Sequence, residues 1–180
     1  MKFNRTPLAG VTVIEAEPQR DARGYFARTY CASTFAALGL PFGAVRQTSV
    51  SYNARRGSMR GIHWQADPHP EAKIVRVTTG RIFDVAVDLR AGSPTFAQWF
   101  GCELDAERGE SLLIPAGCGH GFLTLEDHCL VSYMMDADYA AESSRGARWN
   151  DPLFAIKWPF EAEIISERDR SWPDYRPHTA

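Results

Sequence analysis

The residues best equipped for chemistry gather in RGIHWQADPHPEAK, positions 60–73, where His63 stands between Arg60 and Lys73 in strand-forming company. A histidine so placed is a metal ligand, a proton-transfer base or a satisfied core residue; its two cationic neighbours argue against a wholly apolar setting. Its ordinary pKa of about 6.5 suits proton transfer near neutral pH. Three other stretches offer partners. IPAGCGH (114–120) ends in His120 after a Pro-x-Gly corner. VSYMM (131–135) carries Tyr133, whose phenol, with an ordinary pKa of about 10, stays protonated and able to donate, although most strand tyrosines are packing residues. RIFDVAVDLR (81–90) places Asp84 and Asp88 on one side of an alternating strand whose other side, Phe83, Val85, Val87 and Leu89, is wholly apolar. Asp84 therefore faces either solvent or a polar cavity.

Positioning these groups falls to a chain dominated by strand signals. VTVIEAE and GYFARTY flank a turn-rich connector, PQRDARG. Ser33 is the expected cap of a short helix over TFAALGL that Gly39 ends. IVRVTTGRIFDVAVDLR reads as two strands around a Thr-Thr-Gly turn. FAQWFGCEL, SLLIPAG, HGFLTLED and CLVSYMM supply four more short strands, a spacing that predicts an all-β sandwich or barrel. The last forty residues, with RWNDPLFAIKWPF, read as an irregular arm, and the 180 residues as one domain, 1–180.

Composition narrows the partners. A net charge of −2 gives no reason to expect nucleic acid or an anionic membrane. Arg46, Arg55, Arg56, Arg60, Lys73, Arg76 and Arg81 nevertheless concentrate in one segment, either a solvated face or a phosphate-holding patch. Cys31, Cys102, Cys118 and Cys129 lack the spacing of a zinc knuckle or disulfide framework. The N-terminus has no apolar signal-peptide core and no run is long enough to span a membrane, so a cytoplasmic protein with reduced thiols is expected.

The His120 motif resembles the second signature of the cupin barrels. The first signature is half matched by Gly57, His63, Gln65, Glu71 and Gly80, with Gln65 where a second metal histidine belongs. An amide is a poor transition-metal ligand beside imidazole, and His63 with His120 alone falls short of three or four protein ligands.

A closer resemblance covers nearly the whole chain. DARGYFARTY, GSMRGIHWQ, EAKIVRVTTGRIFDVAVDLR, SPTFAQW, IPAGCGHGF, RWNDP, IKWP and SERD, in that order, resemble the dTDP-4-dehydrorhamnose 3,5-epimerase family. The resemblance implies a cupin-like jelly-roll β-barrel, a homodimer and a nucleotide-linked 4-keto-6-deoxyhexose substrate. It further implies inversion at carbons 3 and 5 with no cofactor or metal. Motif by motif it makes His63 the general base, Asp169 of SERD its carboxylate partner, Tyr133 the acid on the opposite face and Lys73 the enolate stabiliser. Arg60 and His120 would line the sugar and phosphate pocket, and Arg23 and Gln47 would contact the nucleotide. Asp84, on the polar side of its strand, is the rival partner for His63.

These residue types fit the chemistry. Inverting a centre beside a ketone takes a base on one face, a group that holds the charge moving onto the ketone oxygen, and an acid on the other face. A carboxylate on the far nitrogen of the histidine fixes its tautomer and supports the imidazolium. Ser49, Arg28 and Ser144, the last with Glu142 two places before it, depart from the family pattern at positions expected to touch nucleotide or sugar. A single-centre epimerase would keep every residue named. A metal-dependent cupin oxygenase and a non-catalytic sugar-nucleotide binding module are the competing readings.

Overall fold

A computed structural model of the protein describes residues 1–177. Its strands are β1 (Lys2–Arg5), β2 (Thr12–Glu15), β3 (Gln19–Asp21), β4 (Gly24–Phe26), β5 (Gln47–Asn53), β6 (Ser58–Gln65), β7 (Lys73–Thr79), β8 (Arg81–Asp88), β9 (Trp99–Asp105), β10 (Ser111–Ile114), β11 (Cys118–Thr124), β12 (Cys129–Met135), β13 (Ser144–Gly146) and β14 (Ile164–Ile165). Two short helices, α1 (Ala32–Ala37) and α2 (Glu167–Ser171), complete it with a single 3-10 turn at Ala141–Ser143.

Twelve of the strands form two sheets, in the orders β1-β2-β10-β7-β12-β5 and β13-β6-β11-β8-β9, with β14 beside β6, and β3 pairs with β4 alone. All pairings are antiparallel except β14 with β6. Val75, Val77, Leu112 and Val131 of the first sheet meet Ile82, Ala86, Leu104 and Phe122 of the second in one core. Fully burying such a side chain stabilises the fold by about 1.5–3 kcal/mol. The outer face of the first sheet, through Ile14, Ile74 and Leu113, packs on Phe35 of α1. The outer face of the second, through Ile62, Val85 and Val87, lies beneath Ala147, Phe154, Trp158 and Tyr175 of the C-terminal arm. This is the all-β architecture expected from the strand spacing, and the jelly-roll-like form implied by the family resemblance.

Alternation explains why β8 is buried on both sides. Its apolar side meets the arm, while Ile82 and Ala86 enter the core between the sheets. Asp84 and Asp88 are both wholly buried, so neither faces solvent.

Three local expectations change. The helix α1 begins after Cys31, with no side-chain cap, and Ser33 lies inside it; Gly39 does follow its end with φ of +60°. The Thr-Thr-Gly turn separates two strands, but β7 and β8 belong to different sheets, so the chain crosses the barrel there instead of making a hairpin. Gly80 at that corner has φ of +78°, and a Cβ there would come 2.7 Å from Cys129 Sγ. Part of the turn-rich connector is extended, because Gln19–Asp21 pairs with Gly24–Phe26 in an exposed hairpin. No helix among the described residues is long and apolar enough to cross a membrane.

Candidate active site

A bulge in β6 sets the site. His120 lies opposite His63, but Gly121 lies opposite Gly61, leaving Ile62 as an extra residue on β6. Directly opposed residues of antiparallel strands project to the same side. His120 and Phe122 face the barrel interior, so His63 and Arg60 do too. Three residues apart on a regular strand, they would point to opposite faces. Ile62 turns outward, where its N–H and C=O exchange hydrogen bonds with Ala147 of the arm at 2.9 and 3.0 Å. The glycines flanking His120 make room for it: a Cβ on Gly119 would lie 2.5 Å from Ile62 Cγ2.

Each inward histidine holds a carboxylate. An ionised carboxylate only accepts, so His63 Nε2 donates to Asp169 Oδ1, at 2.6 Å. His120 Nε2 shares a hydrogen bond of 2.7 Å with Asp84 Oδ1. Asp169 reaches the first from α2, whose N-terminus Ser166 caps by accepting Asp169 N–H at 3.1 Å. Gly61 N–H also donates to Asp169 Oδ2, at 3.3 Å. Burial alone would raise the Asp169 pKa; the hydrogen bond and charge of His63, with the Gly61 amide, outweigh it and hold the carboxyl below its ordinary value. With Nε2 committed, Nδ1 is the ring nitrogen left for proton transfer. The His63 side chain is 39% exposed, open at the barrel mouth, whereas that of His120 is 7% exposed.

The opposite sheet supplies the other groups. Tyr133 on β12 stands edge-on to His120, with ring centroids 6.0 Å apart. Burial, reinforced by the Asp84 charge and only partly offset by Arg60, pushes its phenol far above the ordinary value, so it is a proton carrier at neutral pH. Lys73 opens β7, opposite Ile114 of the inner face, with its Nζ 2.9 Å from Glu71 Oε1. Burial raises the Asp84 pKa against the opposing charges of His120 and Lys73. Arg60 Nε donates to Asn53 Oδ1 at 2.8 Å.

Beside this geometry stand the comparisons with known proteins. Residues 5–176 match the family model described as dTDP-4-dehydrorhamnose 3,5-epimerase. The chain belongs to the dTDP-4-dehydrorhamnose 3,5-epimerase family. A relative of that name from Methanothermobacter thermautotrophicus is 43% identical over 178 residues, covering 97% of this chain and 95% of the relative. One from Sinorhizobium fredii is 41% identical over 174 residues, 96% of this chain and 89% of the relative. The crystal structure of the Bacillus anthracis enzyme with TDP and PPi bound superposes with a TM-score of 0.91 at 40% identity, covering 96% of this chain and 98% of that one.

Against the family expectation, the residues divide into two groups. His63, Arg60 and His120 of the second sheet and Tyr133 and Lys73 of the first turn toward the space between the sheets, with Asp169 and Asp84 behind the two imidazoles. Asp84, the rival partner of His63, is instead paired with His120 and is wholly buried. Gln47 begins β5 opposite Met135, which in turn opposes Lys73, and so lies on the same inward side. Arg23 is not brought to the site. It sits on the exposed β3–β4 hairpin, 90% exposed, with its guanidinium on Asp21. Of the departures, Ser49 lies directly opposite Tyr133, and Ser144 Oγ accepts from Arg168 at 3.1 Å.

Gln65 is spent on structure: its amide donates to His69 O and Asp138 O and accepts from Ala140 N–H. Among the described residues no three of His, Cys, Asp and Glu converge as a metal-ligand set. Asn53 went unnoticed in the sequence. Its signal is the period of QTSVSYN, which puts Gln47, Ser49, Ser51 and Asn53 on one side and Val50 and Tyr52 on the other. The polar side of this strand turns inward, the reverse of the ordinary pattern.

Proposed function

We propose that the protein epimerises a dTDP-linked 4-keto-6-deoxyhexose, converting dTDP-4-dehydro-6-deoxyglucose to dTDP-4-dehydrorhamnose. The observation that carries this reading is the disposition of base and acid. His63, backed by Asp169, projects from one sheet, and Tyr133 projects from the other, with Lys73 beside them. His63 Nδ1 removes the proton from the carbon next to the ketone, and Asp169 supports the imidazolium that forms. The electron pair moves onto the ketone oxygen, where the Lys73 ammonium meets it. Tyr133 returns a proton to the opposite face of the same carbon and regains one from solvent, while the His63 imidazolium releases its proton to solvent. Repetition at the second carbon gives the double inversion.

Arg60 and Gln47 take the diphosphate in this scheme. The working unit is a homodimer, in which Arg23 contacts the nucleotide of a second copy. Support comes from the apolar side chains that one chain leaves uncovered around that hairpin and the β5 edge: Tyr25 (50%), Phe26 (75%), Val50 (70%) and Tyr52 (56%). Residence in the cytoplasm fits the four free thiols.

Incubation with dTDP-4-dehydro-6-deoxyglucose in heavy water tests the reading. Deuterium at carbons 3 and 5 is expected, and deuterium at one carbon alone would make the protein a single-centre epimerase. Binding without any exchange would leave only a sugar-nucleotide binding module. Turnover that demands stoichiometric iron or zinc would overturn the proton-transfer scheme.

A further inference from the structure

Glu71 is a buried carboxylate that the proposed reaction leaves unused. Its side chain is 7% exposed and lies 2.9 Å from Lys73 Nζ, whose side chain is 10% exposed. The two residues are two apart at the entry to β7, where alternation sends both side chains to one side. The backbone between them is clamped. Ala72 N–H donates to Asp136 Oδ1 at 2.8 Å and Asp136 N–H donates to Ala72 O at 3.2 Å. The second Asp136 oxygen accepts from Gly43 N–H at 2.9 Å. Glu71 therefore presents its oxygen from a fixed support, as a group that must place another to within a fraction of an ångström requires.

Lys73 has a competing acceptor. Asp84 is wholly buried, its Oδ1 is taken by His120, and its Oδ2 has no hydrogen-bond partner. The Lys73 charge is already felt at that carboxyl. An ammonium on a flexible four-carbon stem moves to whichever buried carboxyl oxygen is free, because a buried acceptor without a partner is costly. Once on Asp84 it would face the floor of the site and disturb the His120 pair.

We propose that Glu71 is a positioning residue that holds the Lys73 ammonium away from Asp84 and toward the substrate oxygen. Glu71 engages one of the three N–H donors and leaves two for the developing enolate. The inference rests on the reading of Lys73 as the enolate donor.

Steady-state kinetics of Glu71→Ala and Glu71→Gln on dTDP-4-dehydro-6-deoxyglucose, with folding checked by circular dichroism, test it. Glu71→Ala should lower kcat roughly 10- to 100-fold, the scale of misplacing a catalytic group by about 1 Å. KM should stay within about threefold, since the enolate charge exists only near the transition state. Glu71→Gln keeps an acceptor at Oε1 and should recover kcat to within about fivefold of the wild type. If Glu71→Ala does not fold, Glu71→Met, similar in length but without an oxygen, replaces it in the same comparison. Wild-type kcat in the variant lacking the oxygen, a change confined to KM, or a Gln variant as slow as the Ala variant would each overturn the proposal. An inactive wild-type protein would overturn the proposed function, and this inference with it.

Discussion

Replacing Asp169 by asparagine tests the base directly. The substitution keeps size and an acceptor for Gly61 N–H while removing the charge that faces His63 across 2.6 Å. When His63 takes the substrate proton, an imidazolium–carboxylate pair forms. Two unit charges about 4 Å apart attract by about 4 kcal/mol at the effective dielectric of a protein surface. His63 is 39% exposed, so solvent screening lowers that to roughly 2–4 kcal/mol. At about 1.4 kcal/mol per decade, kcat should fall roughly 30- to 1000-fold. An asparagine that turns its amide toward Nε2 adds to the loss, because the ring then keeps its proton on Nδ1, the nitrogen that must act. The assay is the first-order rate of deuterium entry at carbons 3 and 5 at saturating substrate, with TDP affinity measured alongside. Both carbons should slow together and TDP affinity should hold. Exchange within about threefold of wild type at either carbon would refute Asp169 as the support of the base.

Further outcomes follow from the same geometry. Tyr133→Phe should still wash deuterium into substrate, since His63 removes and returns protons on its own face, while epimer formation drops roughly 100- to 10,000-fold; product at a tenth of the wild-type rate would contradict the acid assignment. Asp88→Asn should cost about 2–3 kcal/mol at pH 7 by denaturant unfolding, the scale of hydrogen bonds to a charged group. Burial would raise the Asp88 pKa, but Arg90, Ser93 and Thr95 lower it well below the ordinary value. That contribution is therefore complete above about pH 4 and lost as pH falls further, so the deficit of the variant should shrink at pH 3; an equal deficit at both pH values would refute the linkage. Gly119→Ala should drive a methyl into Ile62 and cost about 1–3 kcal/mol, read as a melting temperature lower by roughly 2–4 °C per kcal/mol; an unchanged melting temperature would show that Ile62 yields there.

The sequence pattern made the strands legible and left their pairing hidden. Alternation in RIFDVAVDLR marked β8, but nothing local tells whether the carboxylate side of such a strand meets solvent or a second sheet. Only the barrel decides that, by placing Asp84 beneath His120. The Thr-Thr-Gly turn has hairpin chemistry, yet its strands part company because β7 finds β10 and β12 while β8 finds β9 and β11. His63, Lys73 and Asp169 were found through the eight motifs in order and Tyr133 through VSYMM and the family resemblance, whereas their convergence depends on contacts 106 residues apart in sequence for His63 and Asp169. The bulge at Ile62 was invisible because one extra residue leaves no compositional trace.

The proposed base and acid stand on different sheets, and this has a physical consequence. Facing sheets lie about 10 Å apart, a spacing set by the side chains interleaved between them. Here Phe122, Ile82, Leu112 and Val131 fix that gap, and every one of them is buried. The separation of His63 from Tyr133 is thus a property of close-packed core, which deforms little, and not of a loop. Substrate inversion needs two proton-transfer groups that stay apart while the sugar ring between them changes shape. A jelly roll supplies that separation without a hinge, and the arm completes it: α2 brings Asp169 to the back of the His63 ring, and Ala147 anchors the bulge that turns His63 inward.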